Sequence, residues 1–173
     1  SEVASHSLLE DGSYILYHTK HKELFLYEVS TGKKEQIAAH VTNYFSSGQH
    51  QYLIYHTEAN ELYGKELNEA PVRIDSDVIW TVLGDNQETF YVTKENELYR
   101  KSPEGNKQKL LSGIKQYVAD QSNLYYVTLD NEIGMLREGD PEGMLLLENP
   151  KSYDLVYSRG FLLYQDAGTG GGI

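Results

Sequence analysis

The sequence predicts an all-β chain assembled from repeated antiparallel meanders, and three observations carry that prediction. Fifteen tyrosines, four phenylalanines and one tryptophan stand among short runs of Val, Ile, Leu and Thr, the residues that fit a pleated, half-buried surface. No stretch keeps apolar residues at i, i+3, i+4 and i+7 for three turns, so almost no helix is expected. Two linked features then recur four times in register. Tyr17-His18-Thr19, Tyr55-His56-Thr57, Tyr91-Val92-Thr93 and Tyr126-Val127-Thr128 place their threonines 38, 36 and 35 residues apart. Five residues after each threonine comes an aliphatic residue preceded by glutamate: Glu23-Leu24, Glu61-Leu62, Glu97-Leu98 and Glu132-Ile133.

A period of this size marks stacked supersecondary units, which are helical repeats, leucine-rich repeats or propeller blades. Helices are disfavoured and the leucine–asparagine ladder is missing, so blades remain. The first repeat, about residues 3–39, reads as strands Val3–Leu9, Tyr14–Thr19, Glu23–Val29 and Glu35–Ala38. Glu10-Asp11-Gly12, Lys20-His21-Lys22 and Ser30-Thr31-Gly32 separate them; glycine supplies positive φ and Asp bonds back to its own backbone. The second repeat runs from Val41 to Ile74, the third from Val78 to Leu111 and the fourth from Ile114 to Leu147. A partial fifth, 152–165, holds Tyr153–Tyr157, a turn at Ser158-Arg159-Gly160, and Phe161–Gln165. The expected fold is therefore a β-propeller or propeller fragment, with four complete four-stranded blades plus a half blade. It forms one domain over residues 1–165, and the Gly-rich residues 166–173 form a flexible tail. Leu24, Leu62, Leu98 and Ile133 are expected in the core.

Glu10-Asp11-Gly12-Ser13-Tyr14-Ile15-Leu16-Tyr17, followed by Glu23-Leu24-Phe25-Leu26-Tyr27-Glu28-Val29-Ser30-Thr31-Gly32, resembles the blade pattern of TolB-like and related bacterial β-propellers. There a "DG" turn leads into a hydrophobic strand, and the next strand reads Leu-Tyr-apolar before a glycine turn. The resemblance spans about residues 3–165 and rests on turn glycines and core apolar positions. Repeats two and three depart from it, with Ser47-Gly48-Gln49 and Gly84-Asp85-Asn86 at the corresponding turn, and no proline precedes Asp11. The resemblance implies a bacterial, extracytoplasmic location, periplasmic or at the cell surface.

Closed propellers carry about four to eight four-stranded blades, and closure protects strand edges. Four blades and two strands do not close simply. Either the chain is a fragment of a longer propeller, the preferred reading because natural folds seldom leave long edges bare, or another chain completes the last blade by self-association.

Charge and composition exclude several functions. Fifteen Lys+Arg against 26 Asp+Glu give −11, an acidic balance that argues against nucleic acid. With no cysteine there is no disulfide scaffold or thiolate zinc site. No apolar run approaches the ~18 residues of a membrane span, and the N-terminus lacks a signal-peptide pattern, so the chain as given is expected to be soluble.

Catalytic motifs are missing: no Gly-x-Ser-x-Gly, calcium loop or phosphate-cradling glycine pattern occurs. His18, His21 and His56 suggest a metal cluster, but Val92 and Val127 replace the histidine in the later repeats and zinc needs three or four ligands, so no metal and no cofactor is expected. Glu23, Glu61, Glu97 and Glu132 recur with the repeat and read as solvated turn residues. One constellation stands out. His6, Tyr44, Trp80, Tyr117 and Tyr153 each open the first strand of a repeat, the innermost strand of a blade, so they are the candidate ligand-binding ring at one mouth of the channel. Packing between blades is the competing role for these aromatics, and the more usual one. The expected function is a non-catalytic module recognising a protein or peptide, as the sensor or scaffold part of an envelope protein. The alternatives are a propeller-type lactonase or glycosidase, or a carbohydrate-binding propeller.

Overall fold

The computed structural model describes residues 2–9, 12–47, 52–84, 87–119, 123–137, 143–148, 150, 152–158 and 161–165, with the backbone alone for 119, 152–158 and 161–165. These residues contain strands and turns and no helix. The first sheet comprises β1 (Val3–Leu8), β2 (Tyr14–Thr19), β3 (Leu24–Glu28) and β4 (Lys34–Ala38). The second comprises β5 (Val41–Ser47), β6 (Tyr52–Thr57), β7 (Leu62–Glu66) and β8 (Val72–Asp75). The third holds β9 (Val78–Leu83), β10 (Thr89–Thr93), β11 (Leu98–Lys101) and β12 (Lys107–Leu111). The fourth holds β13 (Ile114–Ala119), β14 (Asn123–Thr128), β15 (Ile133–Arg137) and β16 (Met144–Leu147). A two-stranded sheet of β17 (Ser152–Ser158) and β18 (Phe161–Gln165) follows. Each four-stranded sheet is a meander in which sequential strands are neighbours. The chain divides into two compact units, Ser1–Thr89 and Phe90–Ile173.

The repeat signature is turn chemistry. After each repeated threonine the backbone reverses through a residue in the left-handed region: Lys22 (φ 61°), Asn60 (59°), Asn96 (60°) and Asn131 (61°). Asn suits that conformation because its short polar side chain bonds locally. The threonine N–H donates to the carbonyl of the repeated glutamate at 2.9–3.0 Å in all four turns. In three of them the glutamate N–H donates to the threonine Oγ1, at 3.2, 3.4 and 3.1 Å. The same turns tie one sheet to the next. The carbonyls of Lys22, Asn60 and Asn96 accept the N–H groups of Val41, Val78 and Ile114, at 2.8, 2.9 and 2.9 Å. Those three residues open β5, β9 and β13 and are 0–1% exposed.

Leu24, Leu62, Leu98 and Ile133 are each fully buried, so the third strand turns its repeat residue into the core. In the first unit Leu16, Leu24 and Leu26 pack with Leu53, Val41 and Tyr55, with Tyr44 and Tyr63 against them. The fourth strands each form one edge of their sheet and are exposed over half or more of their length. Strand bounds fall within about a residue of those expected, except that paired β-bulges were not foreseen. The register slips after Val3, Val41 and Ile114 at the start of the first strands, and after Leu24, Leu62, Leu98 and Ile133 at the start of the third. A bulge puts two residues opposite one and sharpens the local twist. It is a property of pairing, so no single-strand pattern reveals it. Residues 10–11, 48–49, 85–86, 159–160 and the tail 166–173, on which several expected turns fall, lie outside the described residues.

Candidate functional site

Four of the five first-strand residues singled out above have described side chains. His6 is exposed on β1, opposite Tyr17 of β2. Tyr44, on β5 opposite Tyr55, wedges toward the first sheet. Its hydroxyl lies 3.1 Å from Ser5 Oγ, and its ring meets His18 edge-on with centroids 6.0 Å apart. His18 in turn places Nε2 2.9 Å from the Val41 carbonyl oxygen. Tyr117, on β13 opposite Tyr126, is half-buried, and burial pushes its hydroxyl pKa well up. Tyr153 pairs with Tyr164 along the backbone, and its side chain lies outside the described residues.

Trp80 stands in a different setting. The Asn60 carbonyl fixes Val78 at the start of β9, and two residues on, Trp80 forms a wall of a cleft of about 260 Å³ between β5, β9 and the end of β6. Phe45 of β5 lines the same cleft, Asn43 and Thr42 form an exposed rim, and His56 is buried in it. Burial holds the His56 pKa below its ordinary value, so the imidazole is neutral at physiological pH, one nitrogen donating and the other accepting. Glu58 is the charged side chain of the lining. Hydrogen bonds from Lys22 and then His40 hold its carboxyl below the usual range. The first strands thus bring Trp80 together with Phe45, while Tyr44 contacts Ser5, the neighbour of His6. Phe45, Asn43 and His56 were missed as partners of Trp80. The available signal was the equivalence of His56 with His18, each one residue before a repeated threonine.

The cleft offers two aromatic walls, a neutral imidazole and an Asn–Thr rim, which suits neutral hydrogen-bonding groups beside apolar ones. Among the described residues, Glu58, Glu97 and Glu104 have carboxyl pKa values shifted downward through hydrogen bonds, first from Lys22, Lys109 and Ser102 respectively. That is the direction of a paired surface carboxylate, opposite to that of a general acid kept protonated. Two of the repeated glutamates are tied to their own sheets: Glu61 accepts from Tyr63 Oη at 3.0 Å and Arg73 at 3.2 Å, and Glu97 accepts from Tyr99 at 2.6 Å and from Lys109. Among the described residues no three His, Asp or Glu side chains converge as a metal site.

No family model matches the sequence, and neither does any curated protein. Solved structures do match. The N-terminal domain of Nup159 superposes with a TM-score of 0.61 at 12% identity, over 86% of this chain and 44% of that one. PorZ, a surface component of the type-IX secretion system of Porphyromonas gingivalis, gives 0.55 at 12%, over 86% and 23%. Prp20p of Saccharomyces cerevisiae gives 0.55 at 11%, over 85% and 51%. The chain spans about half or less of each. These are β-propellers, and at such identities the likeness is one of fold: four antiparallel four-stranded sheets and a partial fifth.

Proposed function

We propose that the chain is a non-catalytic protein-interaction module that holds an extended peptide segment of a partner in the Trp80 cleft. The carrying observation is the lining itself, in which Trp80 and Phe45 flank a buried neutral His56 beside the Asn43–Thr42 rim. Such a site takes an apolar side chain between rings while imidazole and amide bond to a peptide backbone. Similar propellers support this reading. Nup159 has been solved bound in a complex with Dbp5 and Gle1, and Prp20p is described with its binding to Gsp1p and histones. The Tyr14–Tyr17 and Leu24–Tyr27 pattern, with its likeness to TolB-like blades, supports a bacterial, extracytoplasmic sensor or scaffold. The last half blade, β17 and β18, is proposed to pair with a second copy through the edge of β18, which pairs only with β17 among the described residues.

Trp80 is the one tryptophan of the chain, so its emission reports occupancy of the cleft directly. Peptides selected from a displayed library against the full chain are expected to shift that emission, and Trp80→Ala should weaken their binding about 30-fold, as for a ~2 kcal/mol anchor. Peptides that bind Trp80→Ala as tightly as the parent would overturn the site. An oligosaccharide panel that shifts the emission where peptides do not would overturn the ligand class, and turnover of a lactone or glycoside panel would overturn the non-catalytic reading.

A further inference from the structure

The cross-strand pairs that follow the repeat stack their rings face to face: Tyr17 on Phe25 at 5.3 Å, Tyr55 on Tyr63 at 5.2 Å, and Tyr91 on Tyr99 at 5.5 Å between centroids. In the first and third sheets a lysine of the same sheet lies over the stack. Lys34 Nζ is 3.9 Å from the Phe25 centroid and 5.5 Å from that of Tyr17. Lys107 Nζ is 4.1 Å from Tyr99 and 5.7 Å from Tyr91. Each lysine stands seven residues before the residue that opens the next sheet: 41 − 34 and 114 − 107 are both 7. In the second sheet the same count, 78 − 7, falls on Pro71. Register agrees. Lys34 pairs with Tyr27 and Lys107 with Lys101, each three residues after the buried leucine of the third strand. In the second sheet that third-strand position is Lys65, one beyond the Gly64–Val72 pair. Lys65 is committed elsewhere: it is buried, with Nζ donating to the carbonyls of Glu66, Leu67 and Glu69 and 3.6 Å from Glu35.

The second stack is therefore left without the cation its sisters carry; among the described residues no lysine or arginine lies over it. The stack borders a cleft of about 470 Å³, within the ~300–1,000 Å³ range of small-ligand pockets. Tyr55 and Tyr63 line it with Ala38, Ala39, Glu58 and Glu61. Burial pushes the Tyr55 hydroxyl pKa up to about 12, so the stack stays neutral and keeps its negative ring faces.

We propose that this cleft receives a lysine side chain of a partner protein, its ammonium resting on the Tyr55–Tyr63 stack as Lys34 and Lys107 rest on theirs, with Glu58 and Glu61 at the rim. The occupant is read from the sister sheets: the same stack takes a lysine twice from within the chain. The partner follows from the protein-interaction reading, whereas the test below needs no partner and substitutes no residue lining the Trp80 cleft, with which this cleft shares Thr57 and Glu58.

The probe is N-acetyl-lysinamide, titrated into the full chain carrying ¹³C-methyl alanine, with N-acetyl-norleucinamide as its neutral counterpart. Ala38, Ala39 and Ala59 line the cleft and should shift with the first and not with the second. Pro71→Lys supplies the missing lysine from within and should weaken the response about fivefold, while Pro71→Gln should respond as the parent. Should Pro71→Lys fail to fold, Tyr63→Leu, which removes the ring and keeps the apolar bulk, is expected to show the same loss. Equal shifts with norleucinamide, no shifts with either probe, or an undiminished response in Pro71→Lys or in a folded Tyr63→Leu would each overturn the proposal.

Discussion

Lys22 holds a left-handed backbone conformation, φ 61°, where the three sister turns place Asn60, Asn96 and Asn131. A side chain that cannot bond back to its own backbone pays ~1 kcal/mol there. Lys22→Asn is accordingly expected to raise stability by about 0.5–1 kcal/mol. Urea denaturation in about 1 M salt checks it, because the exposed Lys22–Glu58 pair is then screened and its loss does not mask the gain. A lower midpoint under those conditions would show that Lys22 is not strained in this turn. His56 sets a pH dependence. Its folded pKa lies below its ordinary 6.5 through burial, so the unfolded chain takes up the proton first. Stability from this group is complete above the unfolded pKa and is lost as pH falls through the folded one. His56→Gln should flatten the fall in stability that begins as pH drops below about 7.5. Glu58, Glu97 and Glu104, held below their ordinary 4.5, act only at lower pH. An unchanged slope in that variant would mean that another group titrates there.

Within an element, the partner across the strand decides what the repeat tolerates. Three sheets stack two rings at the same register, but in the fourth Tyr126 faces Gly134. Tyr126 is 6% exposed and lies so close over that glycine that an added Cβ would meet its ring carbon Cζ at 2.2 Å. Gly134→Ala should therefore cost about 1–3 kcal/mol as an overpacked site, read as a lowered thermal midpoint. A neutral result would mean that Tyr126 swings aside. Edges differ as well. Fourth strands carry charge in the first three sheets, whereas β16 exposes Met144, Leu145 and Leu146 at 43%, 49% and 37%. An apolar open edge invites strand addition, so light scattering at physiological salt should fall with Leu145→Lys; unchanged scattering would leave β18 as the associating edge.

Much of this was legible in the sequence, because meander strands, glycine and asparagine turns and buried repeat leucines are local signals. Leu62 and Ile133 were placed in the core from spacing alone, and both are fully buried. The cleft was only half legible. Trp80 was found by counting, but Phe45 and His56 join it through the packing of β9, in the third sheet, against β5 of the second, which no local pattern encodes. The bulges and the commitment of Lys65 to three carbonyls were hidden for the same reason.

For the whole molecule, the proposed binding sites fall where the repeat of similar sheets is broken. Trp80 with its buried neutral histidine is one such place, and the Tyr55–Tyr63 stack, over which no lysine lies among the described residues, is another. The propeller architecture is common to proteins with different partners, so the fold alone does not choose among them. The most direct measurement is hydrogen exchange of the full chain with and without a library-selected peptide. Protection concentrated on Val41–Ser47 and Val78–Leu83 is expected; protection confined to residues 90–165, or failure to select any binding peptide, would contradict the interaction-module account.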